Sequence, residues 1–282
     1  MNKIRRVGFV IKPHAPGIGD ILGDLVGFLS ERGIVCVLED AAAAKLGVRG
    51  GVARGKLPGR TDLVVVLGGD GTLLSVARAA AMAGVPIMGV NLGRLGFLTE
   101  VPVGEARRTL EALLAGEPGL VGIRRFLQAR RGRTVHHCLN DVVINKGALA
   151  RMIQIAIRID GREVAVLKGD GLVVSTPTGS TAYSLSAGGP IVQPHVPAIV
   201  LSPICPHTLT FRPMVVASDS VIGLRLLTDG EEVYMSLDGQ RGAPLEEGDE
   251  ITVRSSPLEL ELVSSPGRGY FDLVKEKLGW AE

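Results

Sequence analysis

Residues Asp62–Thr72 read DLVVVLGGDGT. Leu63–Leu67 form an uninterrupted aliphatic run that meets Gly68, Gly69, Asp70, Gly71 and Thr72, and LLSVARAAAMAG follows at once. Such a run bounded by glycine is the pattern of a strand buried on both faces, and the apolar residues beyond it recur at helical spacing. The stretch predicts a strand, a tight glycine turn and a helix. Glycine N–H groups and a helix N-terminus then surround one acidic side chain. Glycine admits positive φ and close approach of a ligand, and the helix end supplies donors and partial positive charge, which suits phosphate. Asp70 is the anomaly, because phosphate repels a carboxylate unless a metal ion lies nearby or the carboxylate accepts a proton from an attacking hydroxyl. From the turn alone, a plain capping role for Asp70 explains it equally well.

Working outward, Val7–Ile11 is a strand stopped by Lys12 and Pro13, and Ile21, Leu22, Leu25, Val26, Phe28 and Leu29 share a helical face that Gly33 ends. Val35–Leu38 is the next strand, and Val85–Val90 follows the helix that Gly84 closes. Residues 41–61, rich in alanine, glycine and basic side chains, lack a period and are expected to be a mobile loop with a short helix. This alternation predicts a parallel sheet covered on both faces, with ligands beyond the C-terminal strand ends, where Asp70 and Asn91 lie. Neither a Walker P-loop nor a Gly-x-Gly-x-x-Gly following a strand is present.

After the amphipathic segment Gly104–Gly116 the period becomes two. Ile153, Ile155, Ile157 and Ile159 alternate with Gln154 and Arg158, Asp160-Gly161 makes a hairpin turn, and Val164–Leu167 returns. Further strands are expected at Leu172–Ser175, Met214–Ala217, Val221–Leu226, Val233–Leu237, Ile251–Arg254 and Leu258–Val263, and a helix at Tyr270–Trp280. The expected division is an α/β domain over 1–119, a β-rich domain over 120–267 and a terminal segment over 268–282.

The 282 residues, 46% of them hydrophobic, suffice for two domains with a sizeable core. A net charge of +2 predicts no bulk attraction to nucleic acid or membrane. Arg124, Arg125, Arg130, Arg131 and Arg133 cluster without interleaved aromatics, as a solvated hairpin does. Cys36, Cys138 and Cys205, without Cys-x-x-Cys spacing, predict buried thiols in a reducing compartment. The apolar run in MNKIRRVGFVIK is too short for a signal or a membrane span, so a cytoplasmic protein is expected.

Three further blocks carry chemistry. In Asn91–Glu100, Gly93 and Gly96 flank Arg94 and Leu95 and lead into Phe97, which reads as a loop with Phe97 in the core. Asn140 and Asp141 open a strand. Asn140 offers a donor and an acceptor, as an adenine edge or ribose hydroxyl requires, and Asp141 can accept from a ribose diol; a turn that starts the strand is the alternative. In Lys168–Pro190, Asp170 lies between Gly169 and Gly171, followed by Ser175, Thr176, Thr178, Ser180, Thr181, Tyr183, Ser184 and Ser186. Hydroxyls, small residues and one tyrosine suit a nucleoside site.

GGDGT, NLGRLGFLTE, LNDVVIN and KGDGLVVSTPTGSTAYSLSAGGP, in this order and spread along nearly the whole chain, resemble the NAD kinase family. The resemblance implies a Rossmann-like domain, a β-sandwich-like domain and a C-terminal segment that returns to pack on the first. It implies transfer of the γ-phosphoryl of ATP, or of polyphosphate, to the 2′-hydroxyl of the adenosine ribose of NAD, with a divalent cation, Mg²⁺. Asp70 becomes the catalytic residue, and Gly69, Gly71 and Thr72 cradle the donor phosphates. The NAD contacts it implies are Asp70, Gly71, Phe97, Asn140, Asp141, Arg151, Lys168, Asp170, Thr181, Ala182, Tyr183, Ser184, Leu185, Ser186 and Gln240, with Arg94 near phosphate. The family usually has glutamate where this chain has Asp141. His207 resembles a family histidine near the second-domain core and is expected to be structural. Relatives imply a homodimer or homotetramer. Two rivals share features: a diacylglycerol-type lipid kinase has a similar glycine turn, and a non-catalytic NAD-binding regulator would keep the pocket.

Overall fold

The structure, a computed structural model, describes residues 4–93 and 95–280. The chain forms two compact units, one made of the chain up to Ile123 together with the chain from Leu260, the other of Arg124–Glu259.

The first unit runs β1 (Arg6–Ile11), α1 (Ile18–Ser30), β2 (Val35–Leu38), α2 (Asp40–Lys45), β3 (Leu63–Gly68), α3 (Asp70–Ala83), β4 (Ile87–Asn91), β5 (Val101–Pro102) and α4 (Ala106–Ala115). Strands β2, β1, β3 and β4 lie in that order, all parallel, with β5 beside β4. All six residues of β3 are buried, as its unbroken aliphatic run requires. Helix α1 buries Ile18, Leu22, Leu25, Phe28 and Leu29, a single stripe at helical spacing. Gly84, at φ +64°, closes α3 in the left-handed conformation that a side chain disfavours.

Residues 41–61 contain the expected short helix, α2, but the rest is not the loose loop that their composition predicts. They hold α2, two single 3₁₀ turns at Arg54–Lys56 and Pro58–Arg60, and a parallel bridge between Glu39 and Val52. A polar network fastens them. Glu39, 2% exposed, accepts Ile11 N at 2.7 Å, Arg54 Nε at 2.7 Å and Arg54 Nη2 at 3.0 Å. Arg54 also donates to Ile11 O and to Ser75 Oγ of α3.

The chain then runs β6 (Val121–Arg131), β7 (Thr134–Cys138), β8 (Asp141–Lys146), β9 (Ile153–Ile159), β10 (Arg162–Gly169) and β11 (Gly171–Ser175). It continues through α5 (Tyr183–Ser186), β12 (Ala198–Ile204), β13 (Met214–Ala217), β14 (Ile222–Leu226), β15 (Val233–Leu237), β16 (Arg241–Leu245), β17 (Glu250–Val263) and α6 (Tyr270–Leu278). In the second unit one antiparallel set is β10–β9–β14–β17, the other β13–β12–β11–β8–β15–β16. Ile153, Ile155 and Ile157 of the first set and Val142, Ile144, Leu172 and Val174 of the second belong to one buried cluster, so the sheets close on a common core. The arginine-rich stretch forms the β6–β7 hairpin, turning at Gly132 with φ +57°.

The end of β17 re-enters the first unit. Leu262 and Val263 pair in parallel with Ile87 and Met88 of β4, and α6 follows with Leu273 and Val274 buried. No helix among the described residues is long and apolar enough to cross a membrane.

Candidate functional site

The register of β3 against β4 sets Gly68 beside Asn91, so both turns leave the same edge of the first unit's sheet. Asp70 is the first residue of α3, and its carboxylate does not cap its own helix. It reaches the segment after Gly96 instead: Oδ2 accepts Phe97 N at 2.9 Å, and Oδ1 accepts Leu98 N at 3.1 Å, Thr99 N at 2.9 Å and Thr99 Oγ1 at 2.9 Å. The capping alternative is thereby overturned. Asn91 Nδ2 donates to Thr99 Oγ1 at 3.1 Å, which ties the end of β4 into the same cluster.

A carboxylate offers about four acceptor positions. Oδ1 has three donors and Oδ2 one, so the open acceptor lies on Oδ2. The carboxylate is therefore held rigidly with one oxygen available, as a group receiving a proton from an incoming hydroxyl requires.

Two glycines permit this packing. A Cβ on Gly96 would lie 2.0 Å from Asp70 Oδ1 and 2.4 Å from Thr99 Oγ1, and one on Gly68 would lie 2.7 Å from Thr72 Oγ1. Gly69 and Thr72 are half-buried and Gly71 is exposed, at the positive end of α3. Phe97 is half-buried rather than in the core, and Lys277 Nζ of α6 lies 5.7 Å from its ring centroid. Arg94 lies outside the described residues.

In the second unit, Asn140 and Asp141 lead into β8 against the hydroxyl-rich run. Thr176 N donates to Asn140 O at 2.8 Å and Thr176 Oγ1 to Leu139 O at 2.6 Å. A Cβ on Gly179 would lie 2.1 Å from Asn140 O, so that turn sits directly on the asparagine backbone. Three buried atoms here have no hydrogen-bond partner among the described residues: Asn140 Oδ1, Ser175 Oγ and Thr178 Oγ1. Buried polar atoms are nearly always paired, and three orphans together match a site that a polar ligand completes. Asp141 is 4% exposed, and burial first, then the charge of Asp238, pushes its carboxyl up to about 7.

Residues 7–118 match the family model described as the ATP-NAD kinase N-terminal domain, and residues 139–265 that of the C-terminal domain. The NAD kinases of Geotalea daltonii and Geobacter sulfurreducens are each 44% identical over 286 and 284 residues, covering 99% of this chain and 100% of the relative. The chain belongs to the NAD kinase family. Two solved structures agree: yeast NADH kinase complexed with NADH has a TM-score of 0.88 at 28% identity, over 99% of this chain and 89% of that one. An NAD kinase from Archaeoglobus fulgidus in complex with ATP has a TM-score of 0.76 at 26% identity, over 96% and 98%.

Within the second unit of this NAD kinase family member, the expected nucleotide residues form two groups. Asn140, Asp141, Thr181, Ala182 and Tyr183 belong to the group around Leu139 and Thr176, with Thr181 and Ala182 half-buried and Tyr183 43% exposed. The turn that carries exposed Gln240 joins this group, because Asp238 bonds to the backbone of Leu139–Asp141. Leu185 is half-buried and Ser186 exposed, whereas the Ser184 hydroxyl is wholly buried against Ser202 Oγ at 2.9 Å.

Asp170 lies at the other end of the β8–β11 pair, 3.8 Å from Lys146 Nζ, where Gly171 faces Asn145 while Ser175 faces Asp141. Five strand residues separate these ends, about 17 Å. The flanking glycines of Asp170 answer to crowding: a Cβ on Gly171 would lie 2.1 Å from Ile144 O, and one on Gly169 2.9 Å from Ile204 O. Exposed Lys168 shares this end, its carbonyl accepting His207 N, and Arg151 is exposed with its N–H on Glu231.

Two expectations are corrected. His207 is exposed rather than a core histidine, and Cys205 is exposed while Cys138 is buried and Cys36 partly so. Thr99, Gly96 and Asp238 make contacts at the site that the sequence does not show, Gly96 and Asp238 reading there only as loop and hairpin-turn residues. Each acts through a contact far along the chain, and only the glycine and Asp-Gly spacings hinted at them.

Proposed function

We propose that this chain is an NAD kinase that transfers the γ-phosphoryl group of ATP to the 2′-hydroxyl of the adenosine ribose of NAD, yielding NADP and ADP. The observation that carries the proposal is the Asp70 carboxylate, fixed by four donors with one acceptor position open on Oδ2. Asp70 takes the ribose hydroxyl proton as the O2′–P bond forms and the bond from the γ-phosphorus to the bridging oxygen breaks. Gly69, Gly71 and Thr72, at the positive end of α3, hold donor phosphate. Asn140, Asp141 and the Thr176–Ser186 stretch take the nucleoside, a reading supported by the three orphaned atoms.

Magnesium, when bound, neutralises charge developing on the transferred group. The cation is proposed to be carried mainly by nucleotide phosphates and water, as Mg²⁺ commonly is. Inorganic polyphosphate is proposed as a second donor, the cytoplasm as the compartment and a homo-oligomer as the working form. The polar, hydroxyl-rich run argues against an apolar lipid acceptor, and the family matches give the lipid-kinase and non-catalytic readings no support.

The test is an end-point assay with NAD, ATP and Mg²⁺, detecting NADP through an NADP-specific dehydrogenase, beside Asp70→Asn. Wild type should form NADP, while the variant loses on the order of 10²–10⁴ in kcat with NAD affinity little changed. Near-normal turnover in Asp70→Asn would remove the base assignment. No NADP from wild type with either donor would remove the reaction itself.

A further inference from the structure

The turn between β15 and β16 has a pair of residues in left-handed conformation, Asp238 at φ +52° and Gly239 at φ +63°. Asp-Gly at such a hairpin turn needs nothing beyond its backbone. Here the side chain does something else. Asp238 Oδ2 accepts Leu139 N at 3.0 Å, and Oδ1 accepts Asn140 N at 2.7 Å and Asp141 N at 3.3 Å. Its own N–H donates to Asp141 O at 3.1 Å.

Three consecutive backbone donors thus converge on one carboxylate almost a hundred residues away in sequence. On the other side, Thr176 holds the carbonyls of Leu139 and Asn140, and the Gly179 turn lies against Asn140. The Asn140–Asp141 backbone is therefore gripped from both sides. Its Asn140 Oδ1, in a residue 9% exposed, is left without a partner among the described residues.

We infer that Asp238 is a positioning residue for nucleotide binding, which fixes Asn140 and Asp141 for NAD. The inference rests on the reading above that these two residues contact NAD. Asp238 also stands beside Asp141, whose carboxyl is pushed up to about 7 by burial and by that neighbouring charge. Among the described residues the other titratable group facing it is Cys138 of β7, whose thiol burial pushes well up, so it stays neutral; β11 contributes Ser175, which does not titrate. An ionised Asp141 accepts from both hydroxyls of a ribose diol, whereas the protonated acid offers less acceptor capacity. NAD binding is then tight above neutrality and weakens as pH falls.

The experiment is calorimetric titration of NAD into full-length wild type, Asp238→Asn and Asp141→Asn from pH 5.5 to 8.5, with steady-state kinetics at pH 8. Wild-type Kd should be level at high pH and rise about tenfold or more towards pH 5.5. In Asp238→Asn one backbone donor loses its acceptor, so KM and Kd for NAD should rise about tenfold with kcat within about threefold. Its pH-dependent rise should also begin at lower pH, because one source of the upward push is gone. Wild-type affinity and pH profile in Asp238→Asn, with Asp141→Asn weakened, would overturn the inference alone. Undiminished binding by Asp141→Asn would instead overturn the underlying site reading. If Asp238→Asn does not fold, Asp238→Ser decides, because it keeps one short acceptor without the charge: unchanged NAD Kd and pH profile overturn the inference, and a raised Kd at pH 8 supports it.

Discussion

Asp70 works as a fixed acceptor because the residue at position 96 has no side chain. Oδ1 occupies the space that a Cβ on Gly96 would enter, only 2.0 Å away, and Thr99 Oγ1 crowds the same point at 2.4 Å. Neither neighbour can retreat cheaply, since Oδ1 is held by Leu98 N and Thr99 N and the hydroxyl by Asn91. Gly96→Ala must therefore shift the carboxylate or the 97–99 backbone. Displacement of a reacting group by about 1 Å costs on the order of 10²-fold in rate. We expect kcat to fall by about that factor with NAD affinity nearly unchanged. Gly93→Ala, where a Cβ would meet nothing within 4 Å, is the matched control and should stay close to wild type. Equal rates for the two variants would show that the carboxylate needs no such confinement.

Among the elements, the segment between β2 and β3 shows what local patterns miss. Its composition predicts a mobile loop, yet Glu39 and Arg54, paired with each other, bind it to β1 through Ile11 N and Ile11 O and to α3 through Ser75 Oγ. Glu39 stays buried, so Arg54→Ala leaves a carboxylate in the interior with its main countercharge removed. Breaking a buried pair from one side costs about 3–5 kcal/mol, and the partial exposure of Arg54 places this case near the lower end. Urea unfolding should show a loss of about 3 kcal/mol for Arg54→Ala, and Glu39→Gln with Arg54→Met together should lose less than the single variants add up to. Additive losses would mean that the pair does not act as a unit. The same cause separates what was legible from what was not. β3, β9 and the β6–β7 hairpin follow from period and composition, because each is set by its own residues. β12 is hidden in the sequence, since Pro203 inside Ala198–Ile204 removes a ladder donor and argues against a strand. The two strands expected at Ile251–Arg254 and Leu258–Val263 form one, β17, running through Pro257. At the site, GGDGT and Asn140-Asp141 stand out as unusual residue types, whereas the donors on Asp70 and the grip of Asp238 depend on contacts 27 to 99 residues apart.

For the whole molecule, the first unit is discontinuous in sequence, and its completeness depends on the chain coming back. β4 would be an exposed parallel edge over Ile87 and Met88 without Leu262 and Val263. The return is anchored where the chain departs: Ser264 N donates to Leu120 O at 2.8 Å, and the Ser265 hydroxyl bonds to the Glu105 carboxylate. Val263 also belongs to the same buried cluster as Phe9, Leu67 and Val90. A fragment ending at Ile123 therefore lacks a strand, part of its core and the buried face of α6. Because the exit and re-entry lie side by side, a glycine–serine linker of about six residues, reaching up to about 20 Å, can join Ile123 to Leu260. We expect the joined chain to unfold in one cooperative urea transition, and the fragment 1–123 alone to unfold broadly or at much lower denaturant. Amide hydrogen exchange should locate the difference, with β4 protected in the joined chain and exchanging fast in the fragment. Equal cooperativity in the two would mean that the returning strand merely covers a unit already complete.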